Sequence, residues 1–280
     1  MKTITYERDW TELQSDMANA KTSDGWEADS LASACEDDPE WSGSETWEEA
    51  VHMLTYGWTE GRSALAEAAE YSAPMMQRSR RAGYRYTPAG GTPYVPNVCI
   101  NVPNVMRSRS RDAGRAQAPV VRIAVNIGAP ARIEPQDIIN RGGALIALID
   151  NIEAAGQRVE LEAVSLSFCP LNKTDICIKI MIKRAADVLS LDRVAFALAS
   201  PAMLRRIKFR IMEITLPKHE DSYGYSQDFD EDDFPANTMY LPRMEDQIYN
   251  TEELAVRHVQ RKWDEARTEW QKERDIVKQN

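Results

Sequence analysis

The stretch VRIAVNIGAPARIEPQDII, residues 121–139, decides how this chain is built. With Val120 it opens as a nearly continuous apolar run to Ile127, the pattern of a strand covered on both faces. A short Gly-Ala-Pro loop follows. The next run, EPQDIINRGGALIALIDNIEAAG (134–156), is helical, with Pro135 suited to the first turn and Gly156 to the closing cap. Ile138, Ile139, Leu145, Leu148, Ile149 and Ile152 supply a broad apolar face. Such a strand–loop–helix junction is where several fold families hold a metal ion or a phosphate, so its loop residues carry the functional question.

The pattern continues downstream. RVELEAVSLSF (158–168) alternates as a second strand, and DICIKIMIKRA (175–185) as a third, with Ile176, Ile178, Ile180 and Ile182 facing one way. DRVAFALASPAMLRRIKFRIME (192–213) is helical, interrupted near Ser200-Pro201. Tight connections between these elements predict an α/β domain over 119–217, a three-layer, Rossmann-like core.

The flanks differ in character. Residues 1–75 read as an acidic arm with helices. Trp10, Trp26 and Trp41 in its first part predict that it docks on the chain's own body. Thr46 and Glu49 fit a helix-capping pair, and Trp47, Val51, Leu54 and Trp58 share one helix face. Helix is expected again from Ser63 to Tyr71, and a short strand at 98–102. His52 reads as an ordinary, partly buried histidine. Residues 76–118 form an Arg-rich loop region. Between 77 and 115 eight arginines face one acid, a local charge of +7 in a chain whose total is −10. Residues 218–245 include HEDSYGYSQDFDEDDFP (219–235), whose seven acids predict a solvated linker. Residues 246–280 read as an amphipathic helix with Val256, Val259, Trp263 and Trp270 on a narrow stripe.

Composition narrows the function classes. An acidic pI near 5.0 argues against a generally basic, nucleic-acid-coating protein. Four cysteines without a CxxC pair predict reduced thiols, and three dispersed histidines predict no metal centre. The longest apolar run, ALIALI at 144–149, is far short of the ~20 residues of a membrane span. The amino terminus lacks the apolar core of a signal peptide. The expected setting is a soluble, cytoplasmic protein without a cofactor or membrane contact.

The run VRIAVNIGAPARI…RGGALIALIDNIEAAGQRVELEAV resembles the first strand, helix and second strand of a von Willebrand factor A-type domain, over roughly residues 119–185. In that family an Asp-x-Ser-x-Ser signature after the first strand holds a magnesium-type ion. The matching positions here are Asn126, Gly128 and Pro130, so the resemblance implies the fold with a degenerate metal site. The loop also lacks the glycine-rich phosphate motifs. TWEEAVHMLTYGWTEGR (46–62), beside such a domain, resembles uncharacterised phage or mobile-element proteins, which would place the chain in a host cytoplasm.

No nucleophile–base spacing stands out, and the expected role is non-enzymatic: a protein-binding or assembly module. Its partner helix would use Val256, Val259, Trp263 and Trp270 on a partner protein or a second copy of the chain. The alternative is a nucleic-acid-binding accessory factor. It would work through Arg78, Arg80, Arg81, Tyr84, Arg85, Tyr86, Arg107, Arg109 and Arg111, which suit phosphate contacts and base stacking. The same arginines could instead meet an acidic partner.

Overall fold

Strand β5 (Val120–Asn126) is the axis of the molecule, and its apolar run is buried almost throughout. A computed structural model describes residues 2–20, 31–34, 37–59, 61, 84–87, 92–93, 106–109, 120–170, 173–216, 223–245 and 247–279. The elements in chain order begin with β1 (Lys2–Asp9), α1 (Trp10–Ala18), α2 (Pro39–Ser42), α3 (Trp47–Tyr56), β2 (Tyr84–Thr87), β3 (Thr92–Pro93) and β4 (Met106–Arg109). After β5 come α4 (Pro135–Ala154), β6 (Arg158–Cys169), β7 (Thr174–Lys183), α5 (Leu191–Ala199), α6 (Lys208–Thr215), β8 (Tyr225–Gln227), β9 (Thr238–Leu241) and α7 (Glu252–Gln279). One turn of wider π-helix, Met203–Ile207, joins α5 to α6.

The main sheet runs in the order β1-β7-β6-β5-β9, with β8 also paired to β6. Strands β5, β6 and β9 are parallel; β7 is antiparallel to β6, and β1 runs parallel to β7. β8 pairs with Leu166–Phe168 of β6, beyond the stretch of β6 taken up by β5. This is an α/β fold with a mixed sheet, compatible with a Rossmann-like core. Val121, Ile123 and Val125 of β5, Val159 and Leu161 of β6, and Ile176, Ile178 and Ile180 of β7 join α1, α4, α5 and α7 in one core. On the opposite face Val164 and Cys177 pack with Phe229.

Local sequence explains the helix ends. Pro135 is at the start of α4, and Gly156 just past its end takes a left-handed backbone, φ 89°. Thr46 caps α3 through the amide of Glu49, but the Glu49 carboxylate reaches back to the amide of Glu45 instead of Thr46. A reciprocal capping box forms at Asp9 and Glu12.

Several elements differ from expectation. The amino-terminal arm does not begin helical: its first residues add β1 as an edge strand, matched to β7 from Lys2 with Thr174 to Asp9 with Met181. The segment 218–245, expected as an acidic linker, supplies β8 and β9. Tyr240 and Phe229 pack by their rings, while Asp228, Asp230, Asp232 and Asp233 are exposed. His52 is exposed, its ring against Tyr56. Trp26, the helix expected over 63–71 and the strand at 98–102 lie outside the described residues.

Gly142 sets how closely α4 crosses α5. A Cβ there would fall 2.2 Å from the Cβ of Ala199. Alanine improves helix propensity by about 1 kcal/mol but overpacks the crossing by about 1–3 kcal/mol. Gly142→Ala is therefore expected to lower stability in a urea melt. Adding Ala199→Gly should recover part of the loss, and independent, additive effects of the two changes would refute the contact.

Candidate functional site

The loop after β5 separates two very different polar sites at the carboxyl end of the sheet. On the side of Tyr240 it closes a hydrogen-bonded lock. Asn126 is fully buried. Its Nδ2 donates to the Gln227 carbonyl (2.9 Å), to the Tyr240 hydroxyl (3.2 Å) and to Asp228 Oδ1 (3.3 Å). Its Oδ1 accepts from the Gly128 amide at 2.9 Å. Asp228 Oδ1 also accepts from the Tyr240 hydroxyl and the Arg243 amide, and Oδ2 accepts from Arg243 Nε. From α4, the buried Arg141 donates to the carbonyls of Asn126 and Pro242 and lies over the Tyr249 ring. Burial pushes the Tyr240 hydroxyl up to about 12, so it stays a donor at neutral pH.

These residues do not fit a hard divalent cation. Asn126, Gly128 and Pro130 offer one side-chain oxygen, and the Gly128 amide already occupies it. A Cβ on Gly128 would lie 2.9 Å from that oxygen and 3.1 Å from Ser226 Oγ, which leaves no room for a hydroxyl ligand. The Asp228 carboxylate is surrounded by donors. Oxygen ligands free to replace water, which such an ion requires, are not provided by these positions.

On the other side of the loop lies a cleft of about 320 Å³. Trp41, Phe209 and Tyr223 wall it, with Pro130 and Ala131 at one edge. Phe209 and Tyr223 stack at 4.4 Å, and Arg205 lies 4.3 Å over the Trp41 ring. The wall is pinned from behind. The Tyr223 hydroxyl donates to the buried Glu213 (2.6 Å) and accepts from the Ala32 amide (2.9 Å). Glu213 also accepts from the amide and hydroxyl of Ser33 and pairs with Arg210 at 3.3 Å.

Two cations reach this cleft from the π-helical turn and the start of α6. Arg205 is 1% exposed and donates to the carbonyls of Trp41 and Ile133. Lys208 is 3% exposed and makes no hydrogen bond or ion pair among the described residues. Burial draws Arg205 down to about 10 and Lys208 down to about 8. For Lys208 the thiol of Cys169 offsets this only weakly. Their neighbour Arg206 has another task. Its guanidinium is wholly buried among Ser33, Ser42 and Ser44 and holds the amino-terminal arm to the core.

Of Asn126's partners sequence reasoning singles out only Gly128, and it singles out none of Arg205, Arg206 and Lys208. One signal is present: RRIKFR (205–210) places four cations among apolar residues with no acid before Glu213, more charge than one exposed face of a buried helix can carry.

The predicted contact residues are distributed elsewhere. Tyr84, Arg85 and Tyr86 lie on β2 and Arg107 and Arg109 on β4, in a separate small sheet. Tyr84 is opposite Arg109 and Tyr86 opposite Arg107, and directly opposed positions share a sheet face. Arg78, Arg80, Arg81 and Arg111 lie outside the described residues. On α7, Val256, Val259 and Trp263 are buried in the chain's own core, and Trp270 is half-buried beside Trp263. Among the described residues no three His, Cys, Asp or Glu side chains converge, and no helix is long and apolar enough to cross a membrane.

The molecule is thus an α/β protein whose central strand ends between a filled polar lock and a cationic, aromatic cleft. Over residues 2–264 the chain matches the family described as Domain of unknown function (DUF7192), and it belongs to that family. No curated protein and no solved structure matches it.

The Lys208 shift fixes the sign of a pH effect. Between about 8 and the ordinary 10.5 the unfolded chain binds more protons at this side chain than the folded one, so stability rises with pH across that window. Lys208→Met is expected to be more stable than the parent at pH 7, by an amount that shrinks as pH approaches 10.5. Urea melts at about pH 7, 8.5 and 10 test this; a constant difference would contradict a buried ammonium.

Proposed function

We propose that this chain is a non-enzymatic protein-binding or assembly module, phage-encoded, acting in the host cytoplasm, with a von Willebrand A-like core as its scaffold. The order strand, helix, strand, antiparallel strand from 120 to 183 supports that view of the core. One observation carries the binding role. α7 is anchored on α4 and β9 through Val256, Val259 and Trp263, yet it continues to Gln279. Beyond the anchor, Arg267, Thr268, Glu269, Gln271 and Lys272 are exposed around the half-buried Trp270. A groove of about 820 Å³ follows the helix between Val256 and Lys272. A helix anchored on the core, with the half-buried Trp270 at the edge of that anchor, suits a partner helix or a second copy of the chain, since tryptophan anchors dominate such contacts.

Light scattering after size exclusion tests this at low and high protein concentration. Self-association of the parent is expected, tolerant of salt. Trp270→Ala should weaken it about tenfold or more, equivalent to about 1.4 kcal/mol. Indistinguishable masses for parent and variant at every concentration would rule out α7 as the contact.

A second reading is favoured by the register of the small sheet, where Tyr84/Arg109 and Tyr86/Arg107 share a face. Such interleaving suits single-stranded nucleic acid, with rings stacking on bases and guanidinium groups meeting phosphates. Fluorescence anisotropy with labelled oligonucleotides should then show affinity that falls steeply with salt. Arg107→Ala/Arg109→Ala should flatten the slope by about 0.7 for each phosphate that is no longer neutralised. Binding that ignores both salt and the double variant would dismiss this reading.

A further inference from the structure

We propose that the cleft beside the β5–α4 loop binds a small organic anion, its carboxylate or phosphate held by Lys208 and Arg205 and its flat body lying along Trp41, Phe209 and Tyr223. The inference is independent of the α7 surface and of the small basic sheet.

Charge comes first. Lys208 and Arg205 both line the cleft, and both are more than nine-tenths buried. No carboxylate is among the described residues that line it. The two acids whose fields reach Arg205, Glu134 and Asp38, form no ion pair with it. Lys208 lacks any hydrogen-bond partner among the described residues. A buried ammonium without a partner is costly, and an incoming anion would supply the missing charge and the missing acceptors. Elsewhere in the same region buried cations have counter-groups: Arg206 has serine oxygens and carbonyls, and Arg210 has the Glu213 carboxylate at 3.3 Å, although Arg210 Nε makes no hydrogen bond. Lys208 has neither an ion pair nor a hydrogen bond among the described residues.

Shape gives the rest of the ligand class. A volume of about 320 Å³ lies at the small end of ligand pockets and suits a single ring system bearing one anionic group, not a dinucleotide. The aromatic walls accept a planar, apolar body. Their positions are set in advance: the Trp41 indole donates to the Ala131 carbonyl (3.1 Å), and the Tyr223 hydroxyl is held by Glu213 and Ala32. Prearranged walls reduce the ordering cost of binding. The location also agrees with a general rule: open α/β sheets bind ligands beyond the carboxyl ends of their strands, where connections diverge to either side. Here the chain passes from β5 through α4 to β6 on one side, and β9 lies on the other.

The test is calorimetric titration of the full chain with phenyl phosphate, phenylacetate and inorganic phosphate, in the parent and in Lys208→Met and Lys208→Arg. Saturable binding of an aromatic anion to the parent is expected, tighter than that of inorganic phosphate. It should weaken about tenfold or more in Lys208→Met and persist in part in Lys208→Arg. Tighter phenyl phosphate than phenylacetate would assign a phosphate head, and the reverse a carboxylate. Circular dichroism melts establish that both variants are folded. Equal affinity of the parent and Lys208→Met for these anions would overturn the proposal, as would the absence of saturable binding by either aromatic anion to the parent.

Discussion

The buried guanidinium of Arg206 holds the two halves of this molecule together. Its nitrogens donate to Ser44 Oγ, Ser42 Oγ and the carbonyls of Ser33, Ser44 and Glu45, so one side chain gathers a loop about 160 residues away in sequence. Charge-assisted bonds to neutral acceptors satisfy the group without bringing a carboxylate into the core. Removing it would take a donor from the buried carbonyls of Ser33 and Ser44 and from two serine hydroxyls at once, which is more costly than losing one bond. The arrangement depends on the π-helical turn Met203–Ile207. The extra residue in that turn lets Arg205 and Arg206, adjacent in sequence, both be buried, one toward Trp41 and one toward the serines.

That same turn shapes the carboxyl end of the sheet. The loop from Gly128 to Ile133 is shared: Gly128 belongs to the Asn126 lock, while Pro130 and Ala131 border the cleft and Ile133 accepts from Arg205. On one side Asn126, Asp228 and Tyr240 are bonded to one another and have little left to offer a ligand, although the buried Arg141 Nε beside them makes no hydrogen bond. On the other side two cations meet aromatic rings with a shortfall of acceptors. The two sites lie a few residues apart, and the second combines two cations with aromatic walls.

That Asn126, Gly128 and Pro130 offer few ligating oxygens is legible from residue types alone, and Gly128 shows why a larger residue does not fit there. What the loop does instead is not legible, because the groups that engage it come from Gln227, Asp228, Tyr240 and Arg243, about a hundred residues later. The stripe on α7 is apolar as its spacing predicts, but Val256, Val259 and Trp263 are covered by the chain's own core. Amphipathicity records that a face is covered and is silent about what covers it.

Local pattern by itself determined the succession of elements from Val120 to Thr215, including the break at Ser200-Pro201 and the cap at Gly156. Period, proline position and glycine conformation act within a few residues, so one dimension suffices. Only the tertiary structure decided that Lys2–Asp9 completes an edge of the sheet, that an acid-rich segment supplies β8 and β9, and that Arg205, Arg206 and Lys208 are buried. Strand partners are chosen by long-range register. A buried cation is tolerable only when acceptors from distant segments, or a ligand, arrive to meet it.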